Sequence, residues 1–264
     1  ILGGLALFFG FNDVVVHHGV AYLSGAEGFM FMVDARRPER PLLLDPFELV
    51  VGPRGFSHSM TRIDDRLLLG FEGRGVHVLD LTDPFEPRVM GDIAVGHRPR
   101  SMKPVGDLLY VADDHAGLTI IELGLTSFVE PLAVVPETAD SQDFVLSGDV
   151  AFVSSQTGGI SLWDLSDPSR PTVIDADLIP GRWGHLGLDD GVLYADSLVV
   201  NTSLIDGPIV SFDVSEPARP RRLDGIAIDH YLADIHFQGD TAWVAGGTEG
   251  MIGIDVTEPS QLRR

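Results

Sequence analysis

Apolar residues along this chain come in short runs punctuated by Gly, Asp and Pro, as in Asp13-Val-Val-Val16 and Leu109-Tyr110-Val111. None is spaced like the buried face of a helix, and the lengths suit strands. Several runs end in an aromatic or apolar residue and follow a tight-turn dipeptide. Gly106-Asp107 precedes Leu109-Tyr110-Val111, Gly148-Asp149 precedes Ala151-Phe152-Val153, and Asp190-Gly191 precedes Leu193-Tyr194-Ala195. Gly239-Asp240 stands likewise before Ala242-Trp243-Val244. Such dipeptides close two-residue hairpins because Gly and Asp accept the backbone angles that the turn requires. A Gly-rich loop follows, then a further strand running into an acidic residue, then Pro-x-x-Pro (Pro84 to Pro87, Pro168 to Pro171, Pro217 to Pro220). Proline opens an edge strand without removing a central ladder bond.

The acidic residue recurs. Asp34, Asp80, Glu122, Asp164, Asp213 and Asp255 are separated by 46, 42, 42, 49 and 42 residues. A period in the forties filled with strands predicts propeller blades of four strands each. The expected fold is all-β, a six-bladed β-propeller of antiparallel blades forming one domain over 1–264, a segment of a longer protein. The last repeat reads as ending after its third strand. Ile1 to Leu7 resembles a fourth strand, so the N-terminal outer strand is expected to pair with the C-terminal blade, beside Met251 to Val256.

The repeat Gly-(Leu/Ile)-x-(Ile/Leu)-x-Asp-(Leu/Val)-(Ser/Thr)-(Asp/Glu)-Pro-x-x-Pro resembles that of the LVIVD-repeat propellers over nearly the whole chain. Blade three departs from it, with Glu122 for Asp and Leu125-Thr126 where Asp-Pro is expected. The resemblance implies a surface or secreted protein of bacterial or archaeal type, and brings no shared catalytic residue.

Charge narrows the partners. With 39 Asp+Glu against 18 Lys+Arg the formal net charge is −21. Such a chain cannot neutralise a run of phosphates, which excludes nucleic acid, and it is repelled by anionic lipid. No apolar run is long enough to span a bilayer. Cysteine is absent, which removes disulfides, thiolate metal sites and Cys nucleophiles together. The expected partner is a protein, small molecule or carbohydrate, and the expected domain is monomeric.

Candidate chemistry gathers at the channel mouth, where the innermost strands begin. Counting back from each second strand places Asp13, Met60 (or Ser59), Ser101, Asp143, His185 and Asp234 there. Of these, Asp13, Ser101, Asp143, His185 and Asp234 are the candidate ligand-binding residues. Asp143, His185 and Asp234 are the candidate ligands of a divalent cation, since carboxylate and imidazole suit hard and borderline ions. The expected cofactor is none, or that cation. His58, His97, His115 and His230 fall on the same face, His17 and His18 at the opposite turn, and His236 reads as an interior histidine. The recurring acidic residues read as acceptors for the turn that follows each of them. The loop from about Asp196 to Pro208 is longer than its counterparts, as recognition loops often are. No motif of a known catalytic class is present. The sequence therefore predicts a non-catalytic binding module, secreted or on the cell surface. The alternative is a metal-dependent enzyme using mouth His and Asp residues, like propellers of the selenium-binding or methanethiol-oxidase type.

Overall fold

A computed structural model of the chain describes residues 11–25, 29–49, 56–123, 131–135, 140–198, 209–228, 234–245 and 250–264. It is an all-β, six-bladed β-propeller of antiparallel blades, and it divides into two compact units, 1–134 and 135–264.

The first unit holds three blades. Blade one comprises β1 (Phe11–His17), β2 (Val20–Gly25) and β3 (Phe29–Asp34), with the short β4 (Leu42–Leu43) and β5 (Phe47–Glu48) both paired to β3. Blade two is β6 (Ser57–Ile63), β7 (Arg66–Phe71), β8 (Gly75–Asp80) and β9 (Arg88–Ile93). Blade three is β10 (Pro99–Val105), β11 (Leu108–Asp113), β12 (Gly117–Glu122) and β13 (Ala133–Val135). Tyr22, Met30, Leu67, Leu69, Phe71 and Leu79 pack blade one on blade two. The Tyr22 hydroxyl donates to the Pro84 carbonyl at 2.7 Å, so, with the strands of each blade lettered a to d in chain order, a phenol of strand b holds the c–d turn of the next blade. Burial pushes its pKa up to about 12.

In the second unit, blade four is β14 (Ser141–Ser147), β15 (Val150–Ser155), β16 (Ile160–Asp164) and β17 (Thr172–Ile179). Blade five is β18 (Trp183–Asp189), β19 (Val192–Ser197), β20 (Ile209–Asp213) and β21 (Arg221–Ile226). Blade six is β22 (Ile235–Gln238), β23 (Thr241–Ala245) and β24 (Met251–Asp255). Phe152, Leu162, Trp183, Leu186 and Phe212 bury between blades four and five, and Tyr194, Val244, Ile252 and Ile254 between five and six.

The local rules hold where they can be read. The a–b turns are two residues long, as the pairs Val105↔Leu108, Ser147↔Val150 and Asp189↔Val192 require. Asp190 and Gly191 have φ of 40° and 75°, the left-handed pair of a hairpin turn. Strands β9, β17 and β21 begin directly after Pro87, Pro171 and Pro220. Each recurring Asp accepts from the backbone two residues on: Asp80 from Thr82 N at 2.8 Å, Asp164 from Ser166 N at 2.8 Å, and Asp255 from Thr257 N at 3.0 Å. Those side-chain and backbone donors hold the carboxyls below their usual range, Asp213 to about 2 with Arg221 as the leading partner.

Among the described residues the last repeat has three strands, as expected. Asp255 N also donates to Arg263 O at 2.7 Å in an isolated bridge. Asp80↔Arg88 and Asp213↔Arg221 are the same pairing in other blades, because the Pro259 turn has the same length as theirs. The pairing expected of Ile1–Phe9 lies outside the described residues, as do His230 and most of the long loop after Asp196. His236 is exposed rather than interior, because alternation along β22 turns Ile235 inward in its place.

Candidate binding site at the first-strand ends

The first strand opens on a β-bulge in blades one to five, with the register slipping at Phe11/Asp13, Ser57/Ser59, Pro99/Ser101, Ser141/Asp143 and Trp183/Leu186. A bulge inserts a residue and re-aims the side chains beside it. Past the slip, Asp13, Ser59, Ser101, Asp143 and His185 share one repeat position, with Asp234 just before Ile235↔Val244. Ser59, not Met60, is the blade-two member, since Ser59 faces Gly70 as Asp143 faces Ser154.

Two of these carboxylates join neighbouring blades. Asp13 accepts from Val14 N at 2.7 Å and from Met60 N, in the next blade, at 2.6 Å. Asp143 accepts from Phe144 N at 2.8 Å and from Leu186 N, again in the next blade, at 2.9 Å. Each uses one oxygen for its own strand and the other for the next. Ser59 makes a lesser version, its hydroxyl donating to Pro99 O at 3.1 Å. Asp234 accepts from Ile235 N at 2.8 Å. Ser101 is half-buried at the equivalent place in blade three.

Blades two and three add a network of paired charges. Arg98 binds Glu72 at 2.5 Å and Asp114 at 3.1 Å, Arg100 binds Asp114 at 3.1 Å, and His115 Nδ1 lies 2.5 Å from Asp114. Burial raises the Asp114 carboxyl, but His115, Arg100 and Arg98 together bring it below its usual range. Burial and then Arg100 lower His58 and keep it neutral. Asp113 accepts from Arg98 N, His115 N and Ala116 N at 2.7, 2.8 and 2.9 Å. Gly96 is glycine because a Cβ there would run into that carboxylate. His97 packs on His115 with ring centroids 5.1 Å apart. Anions of this cluster already have cations and amides; little charge is left for a ligand.

Blade five is different. Asp196 is 3% exposed on β19, at the position that Ser24, Gly70, Ala112 and Ser154 occupy in other blades. Burial pushes its carboxyl up to about 6, against the pull of His185, while the Asp143 charge adds to the rise. One oxygen, Oδ1, has no hydrogen-bond partner. A Cβ on Gly184 would sit 2.5 Å from that oxygen, so glycine there lets the carboxyl lie against the β18 backbone. Asp143, His185 and Asp196 therefore form one electrostatic group in the second unit. Asp196 stands out in the sequence only by contrast with the small residues of its repeat position.

Bladed repeats with Asp-capped c–d turns have a known counterpart. The LVIVD-repeat family model matches residues 100–123 and 139–175. Blades three and four thus carry LVIVD repeats, and the six-bladed fold is consistent with that family. No curated protein matches it significantly. Among similar solved structures is a crystal structure of the computationally designed Ika8 protein, 8% identical, with a TM-score of 0.65 over 95% of this chain and 72% of that one. At that identity the likeness carries the fold of the chain and none of its chemistry.

Proposed function

We propose that this chain is a non-catalytic ligand-binding module of a secreted or cell-surface protein. Its ligand, cationic or polyhydroxyl, is taken at the first-strand ends around Asp143, His185 and Asp196. The carrying observation is the buried Asp196 carboxyl with an unpartnered oxygen beside His185. A desolvated acceptor of this kind gains most from a donor that a ligand brings. Asp143 serves the site by holding β14 and β18 in register, and Asp13, Ser101 and Asp234 extend the reading by repeat position.

The same group supports the second reading, an enzyme in which His185 and the carboxylates hold a divalent cation, because acids displaced toward neutrality gather at catalytic sites. Thermal shift with spermidine, a neutral disaccharide and Mn²⁺ tests both. Stabilisation by spermidine or the sugar, abolished in His185→Ala and Asp196→Asn, is the expected result. A response to Mn²⁺ alone that those variants remove favours the enzyme. If no probe responds, or the variants respond like the parent, both readings of this site are wrong.

A further inference from the structure

The other end of the first strand carries a group of residues with no part in the site above. β1 ends at His17, and His18-Gly19 makes the turn into β2. His18 has φ of 45° and Gly19 of 78°, the left-handed pair that closes a two-residue hairpin. This turn swings the His18 ring back over His17, with centroids 4.1 Å apart. The equivalent turn of blade two, Asp64-Asp65, lies between β6 and β7, and it brings Asp65 up to the same spot. Asp65 is fixed there by its carbonyl, which accepts from Leu81 N at 2.7 Å.

Burial separates the three side chains in a useful way. The His17 side chain is 6% exposed and that of Asp65 is 57% exposed, and His18 is exposed. The inner histidine is therefore held by packing, while the outer two are open to solvent. His17 Nε2 is buried and lies 3.1 Å from Asp65 Oδ1, its ion-pair partner, without the alignment of a good hydrogen bond. A buried imidazole nitrogen so poorly aligned with its acceptor is a standing cost. A separation near 3 Å without hydrogen-bond geometry is, however, what two ligands of one ion show. With bonds of about 2.0–2.1 Å to a tetrahedral zinc, neighbouring ligand atoms lie roughly 3.3 Å apart. One donor atom from each of His17, His18 and Asp65 lies within 4.8 Å of the others, so small side-chain rotations close the set.

We propose that His17, His18 and Asp65 form a divalent-metal site on the a–b turn face of blades one and two, suited to Zn²⁺. Two imidazoles and one carboxylate are a borderline donor set, and such sets favour zinc and its neighbours over Ca²⁺ or Mg²⁺. The Arg62 guanidinium of β6 is engaged elsewhere, donating to the Asp64 carbonyl at 2.5 Å. The comparable group Asp113–Asp114–His115 lacks this character, because its carboxylates are taken by backbone amides, Arg98 and Arg100. The site is also apart from the ligand site proposed above. Asp13 and His17 stand at opposite ends of β1, roughly 13 Å apart at about 3.3 Å per residue.

Metal-stripped protein equilibrated with ZnCl₂ tests the site by equilibrium dialysis and elemental analysis. One zinc per chain is expected. His18→Asn keeps the left-handed turn, which Asn tolerates, and Asp65→Asn alters an exposed side chain. Each is expected to weaken zinc binding at least tenfold with an unchanged melting temperature of the metal-free protein. His115→Ala and His236→Ala are expected to bind zinc like the parent. Intense visible absorption of the Co²⁺-loaded protein, lost in Asp65→Asn, would report a tetrahedral site. Absence of stoichiometric zinc, or undiminished binding in both His18→Asn and Asp65→Asn, overturns the proposal. Should His18→Asn fail to fold, Asp65→Asn alone decides.

Discussion

Asp196 differs from the residues of its own repeat position in what burial does to it. Ser24 and Ser154 are buried there as neutral hydroxyls, whereas Asp196 at 3% exposure is a carboxyl pushed up to about 6. A raised carboxyl pKa means that the folded state prefers the protonated form. Its penalty is absent below pH 4, grows as pH rises toward 6, and is complete above that. Asp196→Asn removes the titration. It is expected to raise stability at pH 8 by about 1–3 kcal/mol, from 1.36 kcal/mol per pKa unit less a new unpaired amide group, and to give no gain at pH 4, where only the cost of that amide remains. Chemical denaturation at the two pH values checks this, and a gain independent of pH would assign the effect to packing instead.

Among elements, the link between first strands matters most. Asp143 uses both carboxylate oxygens on amides of β14 and β18, and Asp13 does the same for β1 and β6. Charge-assisted bonds of this kind contribute about 1.5–3 kcal/mol each when buried. Asp143→Ala is expected to lower stability by roughly 3 kcal/mol, or about 6–10 °C in melting temperature for a domain of this size. His185→Ala, at the same repeat position but without this bridge, is expected to melt within about 2 °C of the parent. A neutral Asp143→Ala would instead assign Asp143 wholly to ligand binding.

Over the whole molecule, a net charge of −21 sets self-repulsion against the ion pairs that the described residues form. Several of those pairs are exposed, such as Arg221–Asp213 and Arg219–Glu216, where they add little. Repulsion among exposed carboxylates acts over longer distances and is screened as the Debye length falls from about 30 Å at 0.01 M to 8 Å at 0.15 M salt. The melting temperature is therefore expected to rise by a few degrees between 10 and 300 mM NaCl. A fall over that range would show that the networked pairs of Arg98 and Arg100 outweigh the repulsion.

The sequence by itself determined what depends on neighbours a few residues apart. Strand alternation, two-residue turns, prolines opening outer strands and Asp80, Asp164, Asp213 and Asp255 capping the next turn are all local, and the repeat shows each several times. It also placed Asp13, Ser101, Asp143, His185 and Asp234 at one repeat position, because ladder register carries forward from a fixed hairpin. The tertiary structure decided which of these residues meet and in what state. A bulge at the head of each first strand in blades one to five exchanged Met60 for Ser59 and aimed Asp143 at the Leu186 amide of another blade. Asp196 looked like a loop residue until packing against Gly184 buried it, and Asp65 is 47 residues from His18 in the chain but beside it in the fold. These meetings depend on how one blade seats against the next. Burial and long-range contact are properties of that packing, and no pattern within a single repeat encodes them.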